Sequence, residues 1–106
     1  MTPEGEVKAA LRAQLTSWRA WAYPVVPTGY GRRGIPDIIA CVPALIRPEH
    51  VGQWIGLFAG IEAKVHPKVA DTWQVREISA IKNASGLAGV CYNDQELREL
   101  FNGWRS

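Results

Sequence analysis

Trp54-Ile55-Gly56-Leu57-Phe58-Ala59-Gly60-Ile61-Glu62-Ala63-Lys64-Val65 is the stretch from which the fold is read. Its odd positions, from Ile55 to Val65, are all aliphatic or small, whereas its even positions end in the charged pair Glu62 and Lys64. Side chains in a strand alternate between faces, so the pattern predicts a strand whose aliphatic set packs inward while Glu62 and Lys64 share the other face. Upstream, Gly34-Ile35-Pro36-Asp37 opens the apolar run Ile38-Ile39-Ala40-Cys41-Val42, which reads as a short strand covered on both faces. Pro43, Pro48 and Gly52 break both periods, so residues 43 to 53 are expected to form a loop. An antiparallel pair joined by that loop would set Asp37 beside Glu62, with Lys64 close at hand.

Two carboxylates and a lysine at one end of a sheet can hold a hard divalent cation and position a water beside it. That is the equipment of a metal-dependent phosphodiester hydrolase. A lone Glu-x-Lys says nothing. Its weight comes from lying at the polar end of a buried-looking strand, where a charged pair is costly unless metal-bound or paired. The plainer reading is a solvated strand end with a local ion pair.

The chain has 106 residues, enough for one core, and is expected to form a single domain spanning residues 1–106. Its hydrophobic fraction of 47% and charged fraction of 21% are those of a soluble globular protein. No apolar run approaches a membrane span, and Met1-Thr2-Pro3-Glu4-Gly5-Glu6 lacks the basic and apolar regions of a signal peptide. Cys41 and Cys91 fall in expected strands without metal-ligand spacing and read as small core hydrophobes in a reducing compartment. The net charge of +2 is compatible with nucleic acid but decides nothing by itself. Its distribution says more: Arg32 and Arg33 precede the Pro-Asp step, and Lys64, His66 and Lys68 follow the second strand. Basic residues thus flank both arms of the acidic cluster, where phosphates would need neutralising.

Thr2 caps an expected helix from about residue 3 to Trp21, with Val7, Ala10, Leu11, Leu15 and Trp18 at helical spacing. Val25-Val26 is a candidate short strand, and Thr28-Gly29-Tyr30-Gly31 through Gly34 a glycine-rich loop. A second helix is expected over about Thr72 to Ser85, with Val75, Ile78 and Ile81 on its inner side. Gly89-Val90-Cys91-Tyr92 reads as a strand, and Asn93 with Glu96 as a capping pair for a last helix to about Asn102. This order of elements suggests an α/β sheet covered on both faces.

Glu4 on the first helix, Gly34-x-Pro36-Asp37, Glu62-x-Lys64, and Gln74 opening the second helix together resemble the VRR-NUC domain, the virus-type replication and repair nuclease branch of the PD-(D/E)xK superfamily. The segments Thr2-Pro3-Glu4-Gly5 and Thr28-Gly29-Tyr30-Gly31 look like its small stand-alone phage members, and the likeness runs from Thr2 to about Asp94. The resemblance implies a restriction-endonuclease-like α/β domain, with a mixed central sheet flanked by helices. It implies an intracellular protein, in the host cytoplasm if phage-encoded.

The resemblance further implies roles. Asp37 and Glu62 would bind the metal with the Ala63 carbonyl, and oxygen-only ligation favours Mg2+ or Mn2+ over zinc. Glu4 would complete the outer sphere through water. Its simpler role is charge complementarity at a helix N-terminus, and neighbouring Glu6 competes for either part. Lys64 would orient or help deprotonate the attacking water and stabilise negative charge in the transition state. Gln74 would position water or a phosphate, or else form a helix-cap hydrogen bond to the backbone of Asp71. Tyr30 would stack on a sugar or base unless it simply packs. Arg32, Arg33 and Lys68 are phosphate contacts or solvated charges, and His66, lacking a partner at ligand spacing, stays outside the site.

One departure from the family pattern is the long, apolar loop from Pro43 to Gln53. Ala44, Leu45, Ile46, Val51 and Trp54 would leave an exposed patch unless the loop folds back on its own sheet or something covers it. A second copy is the expected cover, because symmetric dimers are the commonest assemblies. The resemblance agrees, since stand-alone members act as homodimers on branched DNA. Two functions are therefore expected as alternatives: a metal-dependent endonuclease for branched DNA such as Holliday junctions, or an inactive nucleic-acid-binding or assembly module on the same scaffold.

Overall fold

The computed structural model describes residues 2–26, 29, 31, 33–34 and 36–105. The protein is mixed α/β, and its chain falls into two compact units, Met1–Pro43 and Ala44–Ser106. The first unit holds helix α1 (Pro3–Ser17) and an antiparallel pair of strands, β1 (Trp21–Pro24) and β2 (Ile38–Cys41). The second holds a short 3-10 turn (Pro48–His50), strand β3 (Ala59–Ala63), helix α2 (Thr72–Asn83), strand β4 (Leu87–Cys91) and helix α3 (Asp94–Leu100).

Helix α1 begins where Thr2 caps it, its hydroxyl accepting from the Gly5 N–H at 3.0 Å, with Pro3 in the first turn. It ends four residues before the expected limit of Trp21. Arg19 takes a left-handed conformation (φ 59°), donating its N–H to the Thr16 carbonyl while the Ala20 N–H reaches the Leu15 carbonyl. That is a Schellman stop, which usually announces itself by glycine; here an arginine occupies the position, so the signal was silent. The chain it releases forms β1 from Trp21, not from Val25. Helix α2 ends the same way, with Ser85 left-handed (φ 71°) and Gly86 donating to Ile81.

Strand pairing departs from expectation. Instead of a ladder joining β2 to β3, the described strands pair as β1–β2 antiparallel and β3–β4 parallel. Regular strand structure also begins only at Ala59, five residues later than the alternation suggested. β3, α2 and β4 form a strand–helix–strand unit, the connection that parallel neighbours require.

The covered face of β3 is the reverse of the expected one. A Cβ at Gly60 would lie 2.6 Å from Ile81 Cδ1, so α2 packs on the face that carries Gly60, Glu62 and Lys64. On the opposite, aliphatic face Ile61 remains 47% exposed, while α3 packs beside it over β4, with Leu100 Cδ1 3.6 Å from where a Cβ at Gly89 would lie. The inner side of α2 is correspondingly Gln74, Ile78 and Ile81, while Val75 points outward. Ile81, Ala84 and Ala88 are buried, and burying the Ile81 side chain contributes about 1.5–3 kcal/mol. Cys41 is buried as expected, which pushes its thiol pKa up, and Cys91 is half-buried; both are present as thiols. Among the described residues, no helix is long and apolar enough to cross a membrane.

Candidate functional site

The site is built where β3 ends against the first turn of α2. The Asp71 carboxylate accepts from the Gln74 N–H (2.8 Å) and the Gln74 side-chain carbonyl accepts from the Asp71 N–H (3.0 Å). This reciprocal capping box fixes the Gln74 side chain. Its amide nitrogen then donates to Glu62 Oε1 at 2.6 Å. The helix-cap reading of Gln74 is thus observed, and the same side chain also holds the Glu62 carboxylate.

Lys64, just past the end of β3 and two residues on from Glu62, brings its ammonium within 3.6 Å of Glu62 Oε1. The Glu62 side chain is 33% exposed and that of Lys64 only 19%. Both contacts fall on Oε1, and Glu62 Oε2 takes no hydrogen bond among the described residues. One carboxylate oxygen is thus oriented, and the other is uncommitted among the described residues. The Ala63 carbonyl adds a second oxygen. With Leu87 N–H donating to Phe58 and Lys64 N–H to Cys91, the even residues of β3 turn their backbone groups toward β4. Those of Ala63 face the other edge of the strand.

Asp37 and Glu4 belong to the first unit. Asp37 stands one residue before β2, exposed, with its backbone carbonyl accepting from Val25 N–H. Its carboxylate makes no ion pair or hydrogen bond among the described residues. Glu4 lies in the first turn of α1, 3.4 Å from Lys8 one turn on, the arrangement of a surface helix pair worth about 0.3–0.5 kcal/mol. Glu6 shares that turn and is exposed. Among the described residues, no three of His, Cys, Asp and Glu are gathered as a ready metal cage. Glu62 and the Ala63 carbonyl in the second unit, and Asp37 in the first, are each oxygen donors of the kind a hard cation takes.

Arg33 and Lys68 are exposed, as phosphate contacts must be. Tyr30 and Arg32 lie outside the described residues. His66, set aside on sequence grounds, stacks on Tyr92 with ring centroids 3.9 Å apart and planes 10° from parallel. No sequence spacing pointed to this contact, because it joins the end of β3 to the end of β4. An open cleft of about 400 Å3, lined by Ala63, Lys64, Val65, His66, Pro67 and Lys68, lies alongside.

No family model matches this chain, and neither a curated protein nor a solved structure matches it significantly.

Proposed function

We propose that the protein is a VRR-NUC-type nuclease of the PD-(D/E)xK fold, a Mg2+- or Mn2+-dependent endodeoxyribonuclease acting on branched DNA such as Holliday junctions. The observation that carries this reading is the Glu62 carboxylate, oriented by Gln74 from a neighbouring helix with Lys64 on the same strand face. A solvated strand-end ion pair needs no third partner, whereas a ligand does need its orientation fixed from behind.

Asp37, Glu62 and the Ala63 carbonyl would hold the cation, with Glu4 reaching it through water. When bound, the ion polarises the phosphoryl oxygens and acidifies an attacking water. Lys64 holds that water by hydrogen bonding and offsets the charge that grows on the phosphoryl oxygens. Water oxygen bonds to phosphorus and releases one proton to solvent, one P–O ester bond breaks, and the departing alkoxide takes a proton from solvent. Gln74 keeps Glu62 from turning away during these events. Arg33 and Lys68, with Tyr30 and Arg32, would track the DNA backbone.

The apolar loop supports a homodimer, whose two-fold axis suits the symmetry of a four-way junction. Leu45 and Val51 are each 79% exposed and Trp54 91%, so these side chains do not fold back onto the sheet. The test is incubation with labelled four-way junctions, flaps, nicked and intact duplexes, in magnesium, manganese or EDTA. Cleavage should need the cation and vanish in Asp37→Ala and Glu62→Ala while DNA binding persists. Cation-independent cleavage, full activity in either variant, or a wild-type protein that binds these DNAs and cuts none would refute it. The last result would favour the inactive binding module.

A further inference from the structure

We propose that His66, backed by Tyr92, is a stacking platform for an unpaired nucleobase, and that the cleft beside it seats a single strand leaving the duplex. The proposal extends the nuclease reading, on which the choice of DNA as ligand rests.

The turn from Val65 to Lys68 is closed by the Lys68 N–H donating to the Val65 carbonyl at 3.0 Å. It is then tied to the strand behind it: the Tyr92 hydroxyl donates to the Lys68 carbonyl at 2.6 Å. Tyr92 is itself held at its backbone, where its N–H donates to Glu96 Oε1 at 2.7 Å. The imidazole of His66 lies flat on this anchored phenol ring, yet His66 is exposed and Tyr92 half-buried. One face of the imidazole is therefore supported, and the residue as a whole is open to solvent.

An exposed aromatic ring held flat by a second ring is organised for one kind of contact. Every nucleobase has a π-face, and stacking on aromatic side chains, histidine among them, is how proteins take up unpaired bases. In duplex DNA those faces are already occupied by neighbouring bases, so the platform selects for unpaired ones. The cleft supplies the rest. Its volume of about 400 Å3 lies within the range of small-molecule sites, roughly 300–1,000 Å3. Lys64 and Lys68 bring positive charge to it, and Lys68 is exposed and has no carboxylate partner among the described residues. Glu62 lies on the Lys64 side, so a base on His66 would sit next to the proposed cleavage centre. Branched DNA presents such a base at each strand exchange or flap.

The test is metal-free binding in EDTA, read by quenching of 2-aminopurine placed within a short oligothymidylate, with a duplex of the same length as comparison. The parent should quench the probe in the single strand, and His66→Ala should weaken that binding roughly 5- to 100-fold while leaving duplex affinity nearly unchanged. His66→Phe, which keeps a flat ring and removes the ring nitrogens, should retain the single-strand affinity. Lys68→Ala should lower the slope of log affinity against log salt by roughly 0.7, the value for one phosphate contact on a single strand. Absence of quenching by the parent, equal loss on single strand and duplex in His66→Ala, or a His66→Phe variant as weak as alanine would overturn the platform. Because no cation is present, a protein that cuts nothing but behaves as described would sink the nuclease reading and leave this one standing.

Discussion

Replacing Gln74 with glutamate separates two jobs that one side chain performs. Glutamate can still accept the Asp71 N–H, so the capping box survives. It cannot donate to Glu62 Oε1, where the Gln74 amide now sits at 2.6 Å. A hydrogen bond to a charged group contributes about 1.5–3 kcal/mol, and the exposure of a third of the Glu62 side chain discounts this to about 1–1.5 here. The new carboxylate also repels the old one. Two like charges that back off to about 4 Å interact by about 1 kcal/mol in bulk water and about 4 near a protein surface. Gln74→Glu should therefore cost about 2–5 kcal/mol without a cation. Gln74→Ala loses the bond and half the cap but gains no repulsion, and should cost about 2 kcal/mol. A cation bridging the two carboxylates reverses the order, since it binds the folded state and stabilises it by linkage. Urea unfolding followed by tryptophan fluorescence, in EDTA and in excess Mg2+, reads both effects. Magnesium should stabilise Gln74→Glu more than it stabilises the parent. A Gln74→Glu protein as stable as the parent in EDTA, or one indifferent to magnesium, would refute the placement of Gln74 behind a cation ligand.

Lys64→Ala should reduce turnover about 100-fold with little change in metal affinity, measured by single-turnover cleavage and calorimetry, because lysine is no ligand. Loss of metal binding along with activity would make it structural. Leu45→Asp or Ile46→Asp should convert a sedimenting dimer to monomer, since an unpartnered charge in an interface costs about 3–5 kcal/mol; the monomer should nick simple DNA but fail to make paired cuts across a junction. A wild-type protein monomeric at all concentrations would refute this interface. Asp94, whose carboxyl is held below its ordinary value by the Arg98 hydrogen bond, favours the folded state at every pH above about 3.8. That contribution disappears as pH falls through the lowered native value, so Asp94→Asn should narrow the stability difference between neutral and acid pH in urea titrations.

Local chemistry was legible wherever a side chain acts on its own neighbourhood. Thr2 and Asn93 cap α1 and α3 as their types require, and Glu96 reaches back to the Tyr92 N–H one residue beyond the expected partner. Asp71 and Gln74 likewise open α2. The left-handed stops at Arg19 and Ser85 were not legible, because neither residue type signals the conformation that its carbonyl partners impose. His66 was set aside for a similar reason: its partner Tyr92 lies on another strand, and spacing along the chain carries no trace of it.

The decisive division runs through β3. Alternation alone showed that Glu62 and Lys64 share a face opposite the aliphatic set, and that much holds, since one helix meets both Gly60 and Glu62. Which face a helix would cover was left to the tertiary structure. Period two distinguishes two faces of a strand without ranking them, and hydrophobicity favoured the aliphatic one. The missing side chain of Gly60 outweighed it, because only there does the strand leave room for Ile81 to close on the backbone and carry Gln74 within reach of Glu62.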